Sequence, residues 1–201
     1  MKIMFRSLIA FLVLALVTGA GAVTFPGNGD AGFGGPIGTG SLTLTDDGTN
    51  ISGTITRGTG SLNDYLVIYV DSVPGGFTDT AVFADNFDDF HRAISGFDGA
   101  GNRSVLTHPP GFTADFAVAI NANFGGLWRL TNGGSLSLPF VTSVNVSPTG
   151  NPNAASYTFS FPVSAIGLTP GNGGTFKLVG TYVSGTVSPA LICAFRSISM
   201  M

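Results

Sequence analysis

Three carboxylates and an amide fall within the eight residues FADNFDDF, at Asp85, Asn86, Asp88 and Asp89. Calcium takes about six to eight oxygen ligands, and an acidic loop can supply several of them. The stretch lacks the D-x-[DN]-x-[DN]-G order of a calcium loop. A calcium site built from Asp85, Asp88 and Asp89 therefore competes with a solvated turn. A further carboxylate, Asp71, ends the run in NDYLVIYVDSVPGGF. On a strand it shares a face with Tyr65 and Tyr69, while Leu66, Ile68 and Val70 take the other. It could hold a cation or touch a ligand at the sheet rim, or cap the N–H groups of the Ser72–Gly76 turn.

Trp128 lies in GLWRL and is the single tryptophan of the chain. Alternation sets Trp128 and Leu130 against Leu127 and Arg129. If Arg129 faces water, Trp128 packs in the core; with the strand flipped, its indole becomes a platform for a sugar ring. Trp128, Arg129, Asp71 and Tyr69 are the candidate ligand contacts. Catalytic signals are poor by comparison. His91 and His108 are the only histidines, and neither has a metal spacing such as H-E-x-x-H. No G-x-S-x-G elbow is present, and there is no glutamate for the usual acid/base pair of a glycosidase. Two aspartates could serve as such a pair, but no spacing singles one out. The expectation is a protein that is not an enzyme.

The elements that must position these residues are strands. All eleven acids are aspartate, and glutamine is missing as well. Residues that fill exposed helix faces are therefore scarce, whereas Thr, Val, Phe and Gly, which favour strands and turns, abound. Segments 41–45 and 51–56 flank DDGTN as a hairpin. The run 65–72 is apolar on both faces, as in a central strand covered on both sides. Further strands are predicted at 91–97, 104–107, 115–121, 126–131, 136–146, 175–184 and 191–198, and YTFSF at 157–161 alternates strictly. PVSAIGL, 162–168, reads as one helical turn, with proline at its start and Gly167 ending it. About ten short strands at this spacing predict one all-β domain, a jelly-roll-like antiparallel sandwich over 41–201 behind a Gly-rich lead-in at 23–40.

YTFSFPVSAIGLTPGNGGTFKLVGTYVSG, 157–185, resembles family 9 carbohydrate-binding modules and the wider DOMON-like sandwiches. In those proteins a strand leads into an Ile-Pro-Trp-x-x-Leu-Gly turn and a glycine loop; DYLVIYVDSVPGGF likewise resembles their central strand. The resemblance implies a sandwich that binds and does not catalyse, with a polysaccharide or cell-surface glycan as its partner. Val163 stands where the family has its tryptophan.

Residues 1–22 read as a secretory signal. Lys2 and Arg6 precede ten apolar residues from Leu8 to Val17, and Ala20-Gly21-Ala22 is a cleavage site. The apolar stretch is too short to span a bilayer, so no transmembrane segment is expected after cleavage. The expected location is extracellular or periplasmic. Cys193 stands alone, so no intramolecular disulfide is expected. A net charge of −3 argues against nucleic acid as a partner. The leading function is carbohydrate binding; a structural or cell-surface protein without a small ligand, and a glycan-active enzyme using aspartates, are the alternatives.

Overall fold

A computed structural model describes residues 21–185. The signal expected at 1–22, except for its last two residues, and the strand expected at 191–198 lie outside that range. The described chain folds as an antiparallel β-sandwich. One sheet has the order β1 (Val23–Pro26), β2 (Ser41–Asp46), β3 (Asn50–Thr56) and β8 (Ser156–Pro162). The other runs β7 (Phe140–Ser143), β6 (Gly125–Arg129), β5 (Phe116–Ile120), β4 (Tyr65–Asp71) and β9 (Lys177–Val183). Both β3 and β8 hand the chain across to the second sheet, where β4 and β9 pair again.

The four-stranded sheet follows directly from its alternation. Leu42, Leu44, Ile51, Ile55, Tyr157, Phe159 and Phe161 point inward and are buried. The outward positions carry hydroxyls. Thr24, Thr43, Thr54 and Thr158 pair in one row across all four strands. Thr45, Ser52 and Ser160 form the next row, and Ser41, Thr56 and Ser156 another. Gly53 has no side chain because the Phe159 ring occupies its place, so that an added Cβ would lie 2.2 Å from Phe159 Cζ.

The five-stranded sheet is buried on both sides. Leu66, Ile68 and Val70 of β4 face the first sheet, whereas Val67 and Tyr69 belong to a second apolar layer on the outer face. That layer is roofed by Phe83, Phe112, Leu138 and the helix α2 (Asp89–Ser95). Ala117 and Ala119 of β5 keep the sheet surface low beneath α2.

Several expected strands take other forms. His91–Phe97, predicted as a strand, is mostly α2. Asp88 caps it by accepting from the His91 N–H at 2.9 Å, and Gly96 ends it in the left-handed region at φ 67°. Segment 104–107 only bridges, at Thr107 to Asp79, and of 136–146 only Phe140–Ser143 is strand. The lead-in supplies β1 and a four-residue helix, α1 (Gly35–Gly38), whose residues are all buried. The turn after β8 is a 3₁₀ helix, Val163–Ile166, closed by Gly167 at φ 78°.

His108 lies in the roof with its ring 5.0 Å from Tyr69 and 5.1 Å from Phe112, and neither ring nitrogen has a partner among the described residues. Burial lowers its pKa from 6.5 to about 4, against the opposing charge of Asp79. Between those values the unfolded chain takes a proton that the folded one refuses, so stability falls as pH falls from 6.5 to about 4. The loss should reach up to about 3 kcal/mol. His108→Phe should flatten the difference in urea midpoint between pH 7 and pH 4.5; an unchanged pH slope would show that His108 does not carry it.

Candidate functional site

The sequence candidates separate in space. Asp71 accepts the Lys177 ammonium at 3.0 Å and the Thr113 N–H at 3.2 Å, tying β4 to its cross-strand partner on β9. It does not cap the turn that follows. Asp115 takes that role, accepting from the Ser72 and Val73 N–H groups at 2.9 and 3.0 Å. Tyr69 is buried and donates to the Ile94 carbonyl at 2.6 Å, fastening the end of α2 to the sheet. Its desolvated hydroxyl has a raised pKa. Arg129 is exposed at the end of β6, on the opposite side of that strand from Trp128.

The three acids of FADNFDDF each have a separate task. Asp85 is wholly buried and accepts three backbone N–H groups: Phe87 at 3.1 Å, Leu136 at 3.0 Å and Leu138 at 2.9 Å. Asp88 caps α2 and holds His91 Nδ1 at 2.7 Å. Burial raises the Asp88 pKa, but the hydrogen bonds from His91 outweigh it and leave the carboxyl below its usual range. Asp89 pairs with Arg92 at 2.9 Å. Among the described residues no three His, Cys, Asp or Glu side chains gather as a metal site.

What the structure does assemble is aromatic. Trp128 is only 3% exposed, so it offers no open ring face. It forms a floor instead. Phe90 of α2 stacks on it at 5.5 Å and 22°, and Phe140 of β7 meets it edge-on at 5.5 Å. Gly126 makes room for this, since a Cβ there would lie 2.6 Å from Trp128 Cη2 and 2.8 Å from Phe140 Cε2. Phe124 closes the group, 5.4 Å from Phe90 and 6.4 Å from Phe140. Its turn is set by Asn121, whose Oδ1 accepts the N–H groups of Asn123 and Phe124.

The outer rings face water. Phe140 is 53% exposed, Phe87 56% and Phe124 39%. Polar groups edge them. Tyr65 packs on Phe90 at 4.8 Å, and its pKa is raised by burial and then by the neighbouring Asp89 charge, with Asn121 opposing. The arrangement is an apolar platform with carboxylate, amide and phenol groups at its edge. Of the sequence candidates, Trp128, Asp88 and Asp89 belong to this region. Phe90, Phe124 and Phe140 were missed, because they lie far apart in the chain and meet only through the packing of α2 on the sheet, the β5–β6 turn and the β6–β7 pairing.

No family model and no curated protein matches the chain. Among solved structures, the chain is similar to a "putative carbohydrate-binding protein" from Bacteroides uniformis ATCC 8492. The identity is 12% and the TM-score 0.40, over 81% of this chain and 70% of that one. Likeness at that level carries no argument about this chain.

Asp85→Ala should cost about 3 kcal/mol, because three N–H groups, that of Leu138 buried and those of Phe87 and Leu136 part-buried, would lose their acceptor. Chemical denaturation checks this. With the acids so engaged, melts in chelator and in millimolar calcium should coincide. A calcium-dependent rise that Asp88→Asn with Asp89→Asn abolishes would instead establish an ion at this loop.

Proposed function

We propose that this is an exported, non-catalytic binding module whose ligand is carbohydrate, held at the aromatic platform beside α2. One observation carries the reading: Phe124 and Phe140 are exposed beside each other, and Phe124 shares the neighbour Phe90 with Tyr65, which feels Asp89 and Asn121. The apolar C–H face of a sugar ring can lie on such rings, while carboxylate and amide groups take its hydroxyls. Monomeric proteins rarely leave contiguous aromatic surface open without a use for it. The signal at 1–22 supports export, and no helix among the described residues is long and apolar enough to cross a membrane.

Trp128 gives a built-in reporter, since it touches both Phe90 and Phe140. Glycan-array profiling should identify soluble oligosaccharides that bind and change its fluorescence. Phe124→Ala and Phe140→Ala should each weaken binding about three- to tenfold, the worth of one aromatic contact. Arg129→Ala should not, because Arg129 lies on the other side of β6. Binding that ignores both phenylalanine variants, or an array without a hit, would refute the platform as a carbohydrate site.

A further inference from the structure

The described residues end at Gly185, which lies at the edge of the aromatic platform. It is buried, and a Cβ on it would lie 2.6 Å from Tyr65 Cε2 and 3.1 Å from Asp89 Cβ. Tyr65 opens β4, the neighbour of β9 within the sheet, and Asp89 begins α2. The chain therefore leaves β9 by leaning over β4 toward α2. It leans away from the free side of β9, the edge strand of that sheet.

Residues 186–201, TVSPALICAFRSISMM, follow in sequence. They contain the apolar run Ala190–Phe195, and Arg196 is their single charged side chain. From Gly185 the path to the exposed rings is short. Ring centroids step by 4.8 Å from Tyr65 to Phe90, 5.4 Å to Phe124 and 6.4 Å to Phe140. An extended chain from Gly185 to Leu191 spans up to about 20 Å, which covers that whole path. We infer that residues 186–201 fold back across α2 and seat the run Ala190–Phe195 on the rings of Phe124 and Phe140.

Three points select this occupant. Phe124 and Phe140 are exposed side by side, and exposed apolar surface of this kind marks a contact. The chain's own exit is aimed at it. Charge agrees as well, because Asp88 and Asp89 place two carboxylates at the start of α2, where Arg196 would arrive. Finally, a tethered segment meets its site at high effective concentration, so a small contact suffices where a separate partner would need a larger one. The inference uses the exposure of these rings and does not rest on carbohydrate as their ligand. Where both hold, the segment and the glycan compete for the same rings.

Cys193 is the single thiol of the chain, so a nitroxide can be attached within the run itself. In the labelled full chain, the amide NMR signals of Phe124 and Phe140 should broaden, while those of Thr54 and Thr158 on the other sheet keep their intensity. Leu191→Asp with Phe195→Asp should restore the broadened signals, and the same spectra report that the variant is folded. The unlabelled chain gives a second readout through 8-anilinonaphthalene-1-sulfonate, a dye that binds exposed apolar surface. The double aspartate variant should bind the dye about three- to tenfold more tightly than the wild type. Adding Phe124→Ala and Phe140→Ala should remove that gain. Broadening confined to Tyr65 and Asp89, or falling on Val179 and Thr181 along β9, would overturn the inference, as would dye binding that ignores the aspartate substitutions. A glycan array without a hit leaves these readouts unchanged, so the two proposals fail separately.

Discussion

The side of β4 that carries Val67 and Tyr69 cannot be left in water. A strand apolar on one face needs one partner layer; YLVIYV is apolar on both, and Leu66, Ile68 and Val70 already claim the space between the sheets. Burying a large apolar side chain is worth about 1.5–3 kcal/mol, so Val67, Tyr69, Trp128 and Leu130 all favour a layer that covers them. The long excursions after β4 and after β6 are therefore structural. They fold back as a roof, with Phe83, Ile94, Phe112 and Leu138 on its underside.

A roof of loops must still satisfy its own backbone, and that need explains where the buried polar groups sit. Asp85 gathers N–H groups from both excursions, so one carboxylate joins segments some fifty residues apart in the chain. Tyr69 reaches up from the sheet to the last turn of α2, and Arg103 holds the Phe83 carbonyl at 2.7 Å. The roof stops at α2, and beyond it the edge strand β7 is exposed. The aromatic platform stands at that boundary: Trp128 is under cover, Phe90 is half-buried, and Phe124 and Phe140 are in solvent.

The strands of the sandwich were legible wherever one rule sufficed. SLTLTD and NISGTIT alternate around an acidic turn, YTFSF alternates without exception, and β4 declares its central place by having no polar face. The helix was not legible from apolar pattern, because DFHRAIS is too short to separate a helical period from a strand. Its caps were the better signal, with Asp88 before it and Gly96 after it. The same aspartate had been weighed as a calcium ligand, and one residue type served both readings. The platform was illegible for a different reason. No local rule brings Phe90, Phe124 and Phe140 together, since their meeting depends on strand order and on the bulge between Leu127 and Trp128.

The odd composition, eleven acids without one glutamate, has a structural explanation in the same hydrogen bonds. A carboxylate one methylene from the backbone reaches an N–H two or three residues on; a longer side chain overshoots and loses more rotamer freedom in the attempt. Asp30 holds the Gly32 N–H, Asp46 that of Gly48, Asp79 that of Ala81, and Asp98 that of Ala100. Asp47 takes those of Thr49 and Asn50, which together keep its pKa low. In this chain aspartate mainly organises turns, and only rarely serves as a free surface charge. The outer face of the first sheet is then left to hydroxyls, which leaves it neutral while the acids are held at turns, caps and cross-strand ties. Charge and its absence are thus segregated by the same demand that shapes the fold: loop N–H groups near a turn need an acceptor, and aspartate, like Asn121 in the β5–β6 turn, is short enough to provide it.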